Sequence, residues 1–288
     1  MGKKYQLNSK QKNLTYIIKA NGQAVPFDYR KVIATCRRAG ANRNLARKVA
    51  RQVREQIHEG MSTRQIYRLV LSTLSSFRDE SGNIISRRYR LKEAIMQLGP
   101  SGFPFERYVS RILESHGYQI ESIRALANGK CVKHEIDIVA YLPESKRKCL
   151  VECKYHNFPG IFTGLKESLY THARFIDLTK IFDGEILVCN TKISKEAITY
   201  ATCIGQQVIS WRYPPNTGLE KMIQEKGLYP LTILPLNKQE LISFSRNGIM
   251  VAKDLDSEDP VKLTSETGIP LERIKKLQDL ARQIMARY

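Results

Sequence analysis

The chain has 288 residues, 42% of them hydrophobic, and 47 lysines and arginines set against 28 aspartates and glutamates leave a formal net charge of +19. That length carries two or three domains with proper cores, while no apolar run approaches the roughly 18 residues that span a bilayer and the polar, basic start lacks the apolar stretch of a secretory signal. The cysteines, Cys36, Cys131, Cys149, Cys153, Cys189 and Cys203, form no CxxC pair, which argues against zinc and against a disulfide framework and fits a reducing cytoplasm.

Residues 1–14 form a basic tail, and residues 1–100 hold 21 basic against 6 acidic side chains. A field of that sign favours polyphosphate or nucleic-acid partners. From Thr15 to Phe27 the pattern predicts two short strands joined by an Asn21-Gly22 turn. Asp28 then caps a helix through Tyr29–Ile33. Further helices are expected near Asn44–His58, Ser62–Ser75 and Ile84–Leu98. With Ile17-Ile18-Lys19, Asn21-Gly22, Phe27-Asp28, Lys31-Val32, Ser62-Thr63-Arg64-Gln65-Ile66 and Arg88-Tyr89-Arg90-Leu91, residues 15–99 resemble the ATP-cone, a regulatory nucleotide-binding module. The resemblance implies that Ile18 and Lys19 border an ATP or dATP ligand and that Lys31 reaches its phosphates; a homo-oligomer is expected, and an alternative role of the cone is that nucleotide changes the assembly. The family often has arginine where Ala20 stands and histidine where Tyr67 stands. An open alternative is a helical domain that contacts DNA directly through Arg37, Arg38, Arg43, Arg47, Lys48, Arg51 and Arg54.

Leu98-Gly99-Pro100-Ser101-Gly102 reads as a turn-forming hinge. An amphipathic helix follows from Gly102 to about Tyr118. Lys133–Ala140 and Cys149–Lys154 alternate as strands do, with Pro143–Lys146 as the loop between them. Alternation places Glu152 and Lys154 on one face, and Glu135 and Asp137 likewise. Two carboxylates at such an edge suit a hard divalent ion, and a neighbouring ammonium can orient water or answer phosphoryl charge. A helix from about Thr163 to Phe182 and the apolar run Glu185–Cys189 complete the segment.

Those residues, with Tyr155-His156-Asn157 after the lysine, resemble the PD-(D/E)xK nucleases, in particular their Mrr-like branch. The resemblance covers roughly residues 101–213. It implies a restriction-endonuclease-like αβββαβ core over residues 100–216, Asp137 and Glu152 as ligands of Mg or Mn, Glu106 as a third acid, and Lys154 as the catalytic lysine. His134-Glu135-Ile136 stands where the family often has proline and glycine, so Glu135 competes with Asp137 for the ligand role. His134 and His156 are either proton shuttles or structural residues. Lys166, Tyr170 and Arg174 share a helix face, which either grips phosphate or is simply solvated.

After Pro214-Pro215, residues 217–288 predict helices at Leu219–Lys226, Lys238–Ser245, Asp259–Thr267 and Leu271–Met285. Leu263, Gly268-Ile269, Ile274 and Leu277 resemble a helix-hairpin-helix, with an earlier copy around Leu241, Asn247-Gly248-Ile249 and Leu255. Such motifs can hold DNA phosphates on backbone amides. A packing or dimerising role is the alternative.

The whole is expected to be an α/β, multi-domain (α+β) cytoplasmic protein: a metal-dependent DNA endonuclease regulated by ATP or dATP. The rival expectation is a nucleotide-responsive DNA-binding regulator with an inactive nuclease fold. No GxxxxGK[ST] motif occurs, so nucleotide is expected as a ligand rather than a fuel.

Overall fold

A computed structural model describes residues 14–77, 80–99, 105–158 and 160–286. The basic tail through residue 13, and residues 100–104 of the expected hinge and helix start, lie outside the described residues. The chain divides into two compact units between Tyr89 and Arg90.

In the first unit, strands β1 (Tyr16–Ile18) and β2 (Ala24–Pro26) pair antiparallel in the register Ile17↔Val25. Gly22 turns the hairpin at φ 80°, where a side chain would be strained. Four helices follow, α1 (Tyr29–Arg38), α2 (Arg43–Gln56), α3 (Thr63–Ser76) and α4 (Glu80–Tyr89). Asp28 caps α1, and Ser62 with Gln65 forms a reciprocal capping box on α3, which satisfies amides that the first turn leaves open. Ile17, Val32, Cys36, Val49, Val53, Val70, Leu74 and Ile85 build one core. The expected helix Ile84–Leu98 is two helices, because Arg90 leaves helical geometry at φ −80°, ψ 2°. Its apolar residues serve two interiors: Ile85 belongs to the first core, whereas Leu91, Ala94 and Ile95 are buried in the second unit.

The second unit opens with α5 (Leu91–Met96) and α6 (Phe105–Glu114). Strands β3 (Gln119–Asn128), β4 (Lys133–Leu142) and β5 (Arg147–Lys154) form an antiparallel meander. After a two-residue strand β6 (Phe162–Thr163) come α7 (Leu165–Asp177), β7 (Gly184–Cys189), β8 (Lys192–Ile193), α8 (Lys195–Ile204) and β9 (Gln207–Ile209). The sheet order is β3-β4-β5-β7-β9, with β5, β7 and β9 parallel. Parallel strands need crossover segments, and α7 and α8 supply them. Every residue of β7 is buried, as expected of a strand covered on both faces. Strands β6 and β8 form a separate parallel pair.

The C-terminal region holds α9 (Leu219–Lys226), a 3-10 turn at Leu231–Ile233, α10 (Lys238–Arg246), α11 (Ala252–Ser257), α12 (Pro260–Thr267) and α13 (Leu271–Met285). Gly268 ends α12 at φ 71° and Gly248 follows α10 at φ 76°, so two helix–Gly–Ile turns occur, with Ile249 and Ile269 buried. The region docks on the sheet domain through Tyr108, whose buried hydroxyl donates to the Leu228 carbonyl at 2.7 Å, and through Arg111, 2.8 Å from Asp254. The architecture is mixed α/β: a mainly helical N-terminal region, a central mixed five-stranded sheet with helices, and a helical C-terminal region.

Candidate functional site

The β4–β5 register runs from Leu142↔Arg147 to Ile138↔Val151, while β5 continues beside β7 as far as Lys154↔Cys189. Past Ile138 it is the Asp137 carboxylate that meets β5, its Oδ2 accepting the Cys153 N–H at 2.7 Å. Neighbouring β3 carries a strained residue at the same level. Arg124, between the paired Ile123↔Ile138 and Ala125↔Ile136, takes φ 55°, a left-handed conformation costly for a residue with a Cβ. Strain and an interrupted ladder thus coincide where the carboxylates gather.

Glu152 stands in the field of Asp137, and its charge is answered by Arg174 on α7, Nη1 to Oε2 at 2.5 Å. Burial pushes the Glu152 carboxyl up to about 7, and Asp137 adds to this while Arg174 and Lys154 oppose it. Burial likewise raises Asp137; the Cys153 amide and Arg174 pull it down, whereas Glu106 and Glu135 push it further up. So Asp137, Glu152, Glu106 and Glu135 act on one neighbourhood. Lys154 is close enough to influence both Glu152 and His156. Glu106, in the first turn of α6, has its Oε1 3.6 Å from Arg124 Nη2.

The two histidines divide. His134 Nε2 lies 2.8 Å from Asp177 Oδ2, and the same carboxylate receives the Cys131 and Val132 amides. Partial burial raises Asp177, but these donors outweigh it and hold the carboxyl well below the usual range. His134 is therefore part of a clasp on the β3–β4 turn. His156 is fixed by its backbone to Asn190, at 2.9 and 2.7 Å, and its Nε2 lies 3.2 Å from Thr163 Oγ1. Burial and Lys154 lower its pKa, so it is neutral at pH 7 and faces the lysine's side of the site.

Of the expected helix-face trio, Arg174 is the member that enters the site. It donates to the Tyr170 hydroxyl at 2.9 Å, and its buried Nε has no acceptor among the described residues. Lys166 is exposed. Sequence reasoning missed a buried network in which Glu185 Oε1 lies 2.5 Å from His172 Nδ1 and Oε2 accepts from Gln206 at 2.9 Å, with Ser168 bonded to Gln206. These residues are far apart in sequence, and only the β7–α7–β9 packing joins them.

The donors near Asp137 are carboxylate oxygens, the chemistry that Mg or Mn takes. Among the described residues, however, no three Asp, Glu, His or Cys side chains are gathered as a metal cage. Asp137 and Glu152, with Glu106 in the same field, are the residues that could hold such an ion.

In the first unit, the Ile18 N–H donates to Met61 O at 3.0 Å and Lys19 Nζ to Gln23 Oε1 at 3.0 Å. Lys19 and Lys31 are exposed. Tyr67 stacks on Tyr89 with centroids 5.6 Å apart. On α2, Arg43, Arg47, Lys48, Arg51 and Arg54 are exposed opposite buried Leu45, Ala46, Val49, Ala50 and Val53, whereas Arg37 and Arg38 bond within their own turn, to Ala41 O and Thr35. Among the described residues no helix is long and apolar enough to cross a membrane.

Residues 15–92 match the ATP cone domain, and residues 229–285 match a family described as AF1548-like, C-terminal. The first match supports nucleotide binding by the N-terminal region. An uncharacterised protein of Archaeoglobus fulgidus is 37% identical over 178 residues, 62% of this chain and 99% of its own length. The crystal structure of AF1548, described as a protein of unknown function, is 36% identical with a TM-score of 0.54, covering 63% of this chain and 96% of that one.

Proposed function

This chain belongs to the AF1548-like family and carries an ATP cone at its N-terminus, and from its half-buried carboxylate pair we propose that it is a metal-dependent DNA endonuclease tuned by ATP or dATP. The observation that carries the reading is the wedge between β4 and β5. Asp137 and Glu152 lie there in each other's field, and Lys154 ends the strand beside them.

In this reading Asp137 and Glu152 would hold Mg or Mn, with Glu106 as the third acid. Once bound, the ion would polarise the scissile phosphate and ease loss of the leaving oxygen. Lys154 orients the attacking water and answers charge on the phosphoryl oxygens. Arg174 holds the Glu152 carboxylate in place. His156 stays neutral, fixed by Asn190, and shapes the approach to Lys154. At the cone, Ile18 and Lys19 border the nucleotide and Lys31 meets its phosphates; the protein acts in the cytoplasm, and its oligomeric state responds to the nucleotide.

The test is cleavage of plasmid DNA with Mg or Mn, with and without ATP or dATP, on methylated and unmethylated substrate. Asp137→Ala and Lys154→Ala are each expected to lower the rate about 100-fold or more, the scale of losing an electrostatic catalytic group. A wild type inert under every condition defeats the nuclease reading. A second reading, the DNA-binding regulator with an inactive nuclease fold, draws support from the Arg174 guanidinium that already answers Glu152. An ATP-dependent gel shift without cleavage favours it. Calorimetry with ATP and dATP tests the cone, where Lys19→Ala and Lys31→Ala should weaken binding.

A further inference from the structure

One ring–cation pair adjoins the Glu152 carboxylate and a second lies beyond the end of β5. On α7 the Arg174 guanidinium lies over the Tyr170 ring, 4.7 Å from its centroid, and Tyr170 is 57% exposed. Beyond the end of β5, Phe162 is 53% exposed, with Lys192 Nζ 5.9 Å from its ring centre. The Phe162↔Lys192 register of β6 and β8 fixes that pair. Thr163, the next residue, reaches His156, so the pair sits on the Lys154 side of the wedge.

A third ring lies under a third cation. Trp211 is buried, and Lys92 Nζ of α5 stands 5.7 Å from its centroid. The Trp211 N–H donates to Thr191 O at 2.9 Å, so Lys192 and Arg212 are each one residue from that bond. Three cations from separate elements are thereby brought together. Arg212 is paired with Glu220 at 2.7 Å. Burial, aided by Lys192 and Arg212, lowers Lys92 to about 8, the sign of positive charge crowded into a partly dry place. On the α7 side, the buried Arg174 Nε lacks an acceptor among the described residues.

Exposed flat rings interleaved with cations match a strand whose bases show their faces and whose phosphates recur between them. A duplex hides those faces in its stack; an unpaired strand does not. We propose that this surface is a platform for single-stranded nucleic acid, with Phe162 and Tyr170 stacking on unpaired bases and Lys92, Lys192 and Arg212 holding backbone phosphates. The inference rests on the nuclease reading for its catalytic consequence, that the substrate is unpaired where it is cut. It stands apart from that reading as a statement about binding.

The experiment is fluorescence anisotropy on the full-length Asp137→Asn protein, with a labelled single strand and a blunt duplex of the same sequence across a salt series. The single strand should bind about tenfold tighter or more. Phe162→Ala and Tyr170→Ala should each weaken it by roughly 5- to 100-fold, the range for losing one base–aromatic stack. Lys192→Gln and Arg212→Gln should each flatten the plot of log K against log salt by about 0.7 for every phosphate the variant no longer neutralises. The basic first unit is common to every variant, so these differences isolate the platform. Equal affinity for duplex, or ring variants that bind unchanged, overturns the proposal whether or not wild type cleaves DNA. An inert wild type that keeps the strand preference defeats the nuclease reading and leaves the platform standing. If Phe162→Ala breaks up an oligomer in light scattering and strand affinity is unaltered, the surface is a subunit interface and the proposal falls.

Discussion

Glu152 shows how the fold sets the charge of a single group. Its proton leaves near 4.5 in an unfolded chain and near 7 in the folded one. Between those values the native state holds more protons, so the stability this carboxyl confers is complete below about 4.5 and is lost as pH rises through about 7. Glu152→Gln cannot ionise, and leaving Arg174 without its carboxylate adds a cost that is nearly constant with pH. The variant should therefore gain on wild type from about pH 5 to about pH 8, by at most about 3 kcal/mol, in urea melts. A difference flat across that range would mean that Glu152 titrates normally. The pairing of the strands that carry Asp137 and Glu152 was legible in the sequence, because both alternate every second residue and a turn-forming loop lies between them. Arg174 was legible only as part of a helix face, since nothing local says that a side chain 22 residues on will meet Glu152. The Glu185–His172 pair left no local trace at all.

Capping chemistry at the ends of an element did not by itself make that element legible. The expected helices Leu219–Lys226 and Leu271–Met285 agree with α9 and α13, and Asp259 proves to be the cap of α12. Two helices escaped notice. In α8 the cap Ser194 and the left-handed Gly205 were present but lay beyond the last expected strand, and α11 has six residues, too short for a period to show. Gly268 illustrates how a helix stop can be tested. A Cβ there meets nothing within 4 Å, yet φ is 71°, so Gly268→Ala should cost about 1 kcal/mol from conformation alone. The fit of the C-terminal helices to α6 has its own probe. Tyr108→Phe strands the buried Leu228 carbonyl, and thermal melts should register a loss of about 1–3 kcal/mol.

At the scale of the molecule, the uneven spread of charge along the chain was enough to mark off a separate N-terminal region. The end of that region was not legible, because residues 84–98 read as one helix whereas its two halves serve different cores. Two compact units imply that residues 90–288 fold without the first. That fragment should melt cooperatively by circular dichroism, keep whatever cleavage the full chain has, and ignore ATP. Nucleotide-dependent cleavage by the fragment would show that the cone is not the sensor.

Tyr155 lies one peptide bond beyond Lys154. Its hydroxyl donates to the Met96 carbonyl at 2.5 Å and accepts the Gly99 amide at 3.1 Å, tethering the exit of α5 to the strand that carries the ammonium. A tug on that helix is thus delivered mechanically to the lysine, and removing the tether's single oxygen, as Tyr155→Phe does, would slacken the connection and leave both anchorages in place.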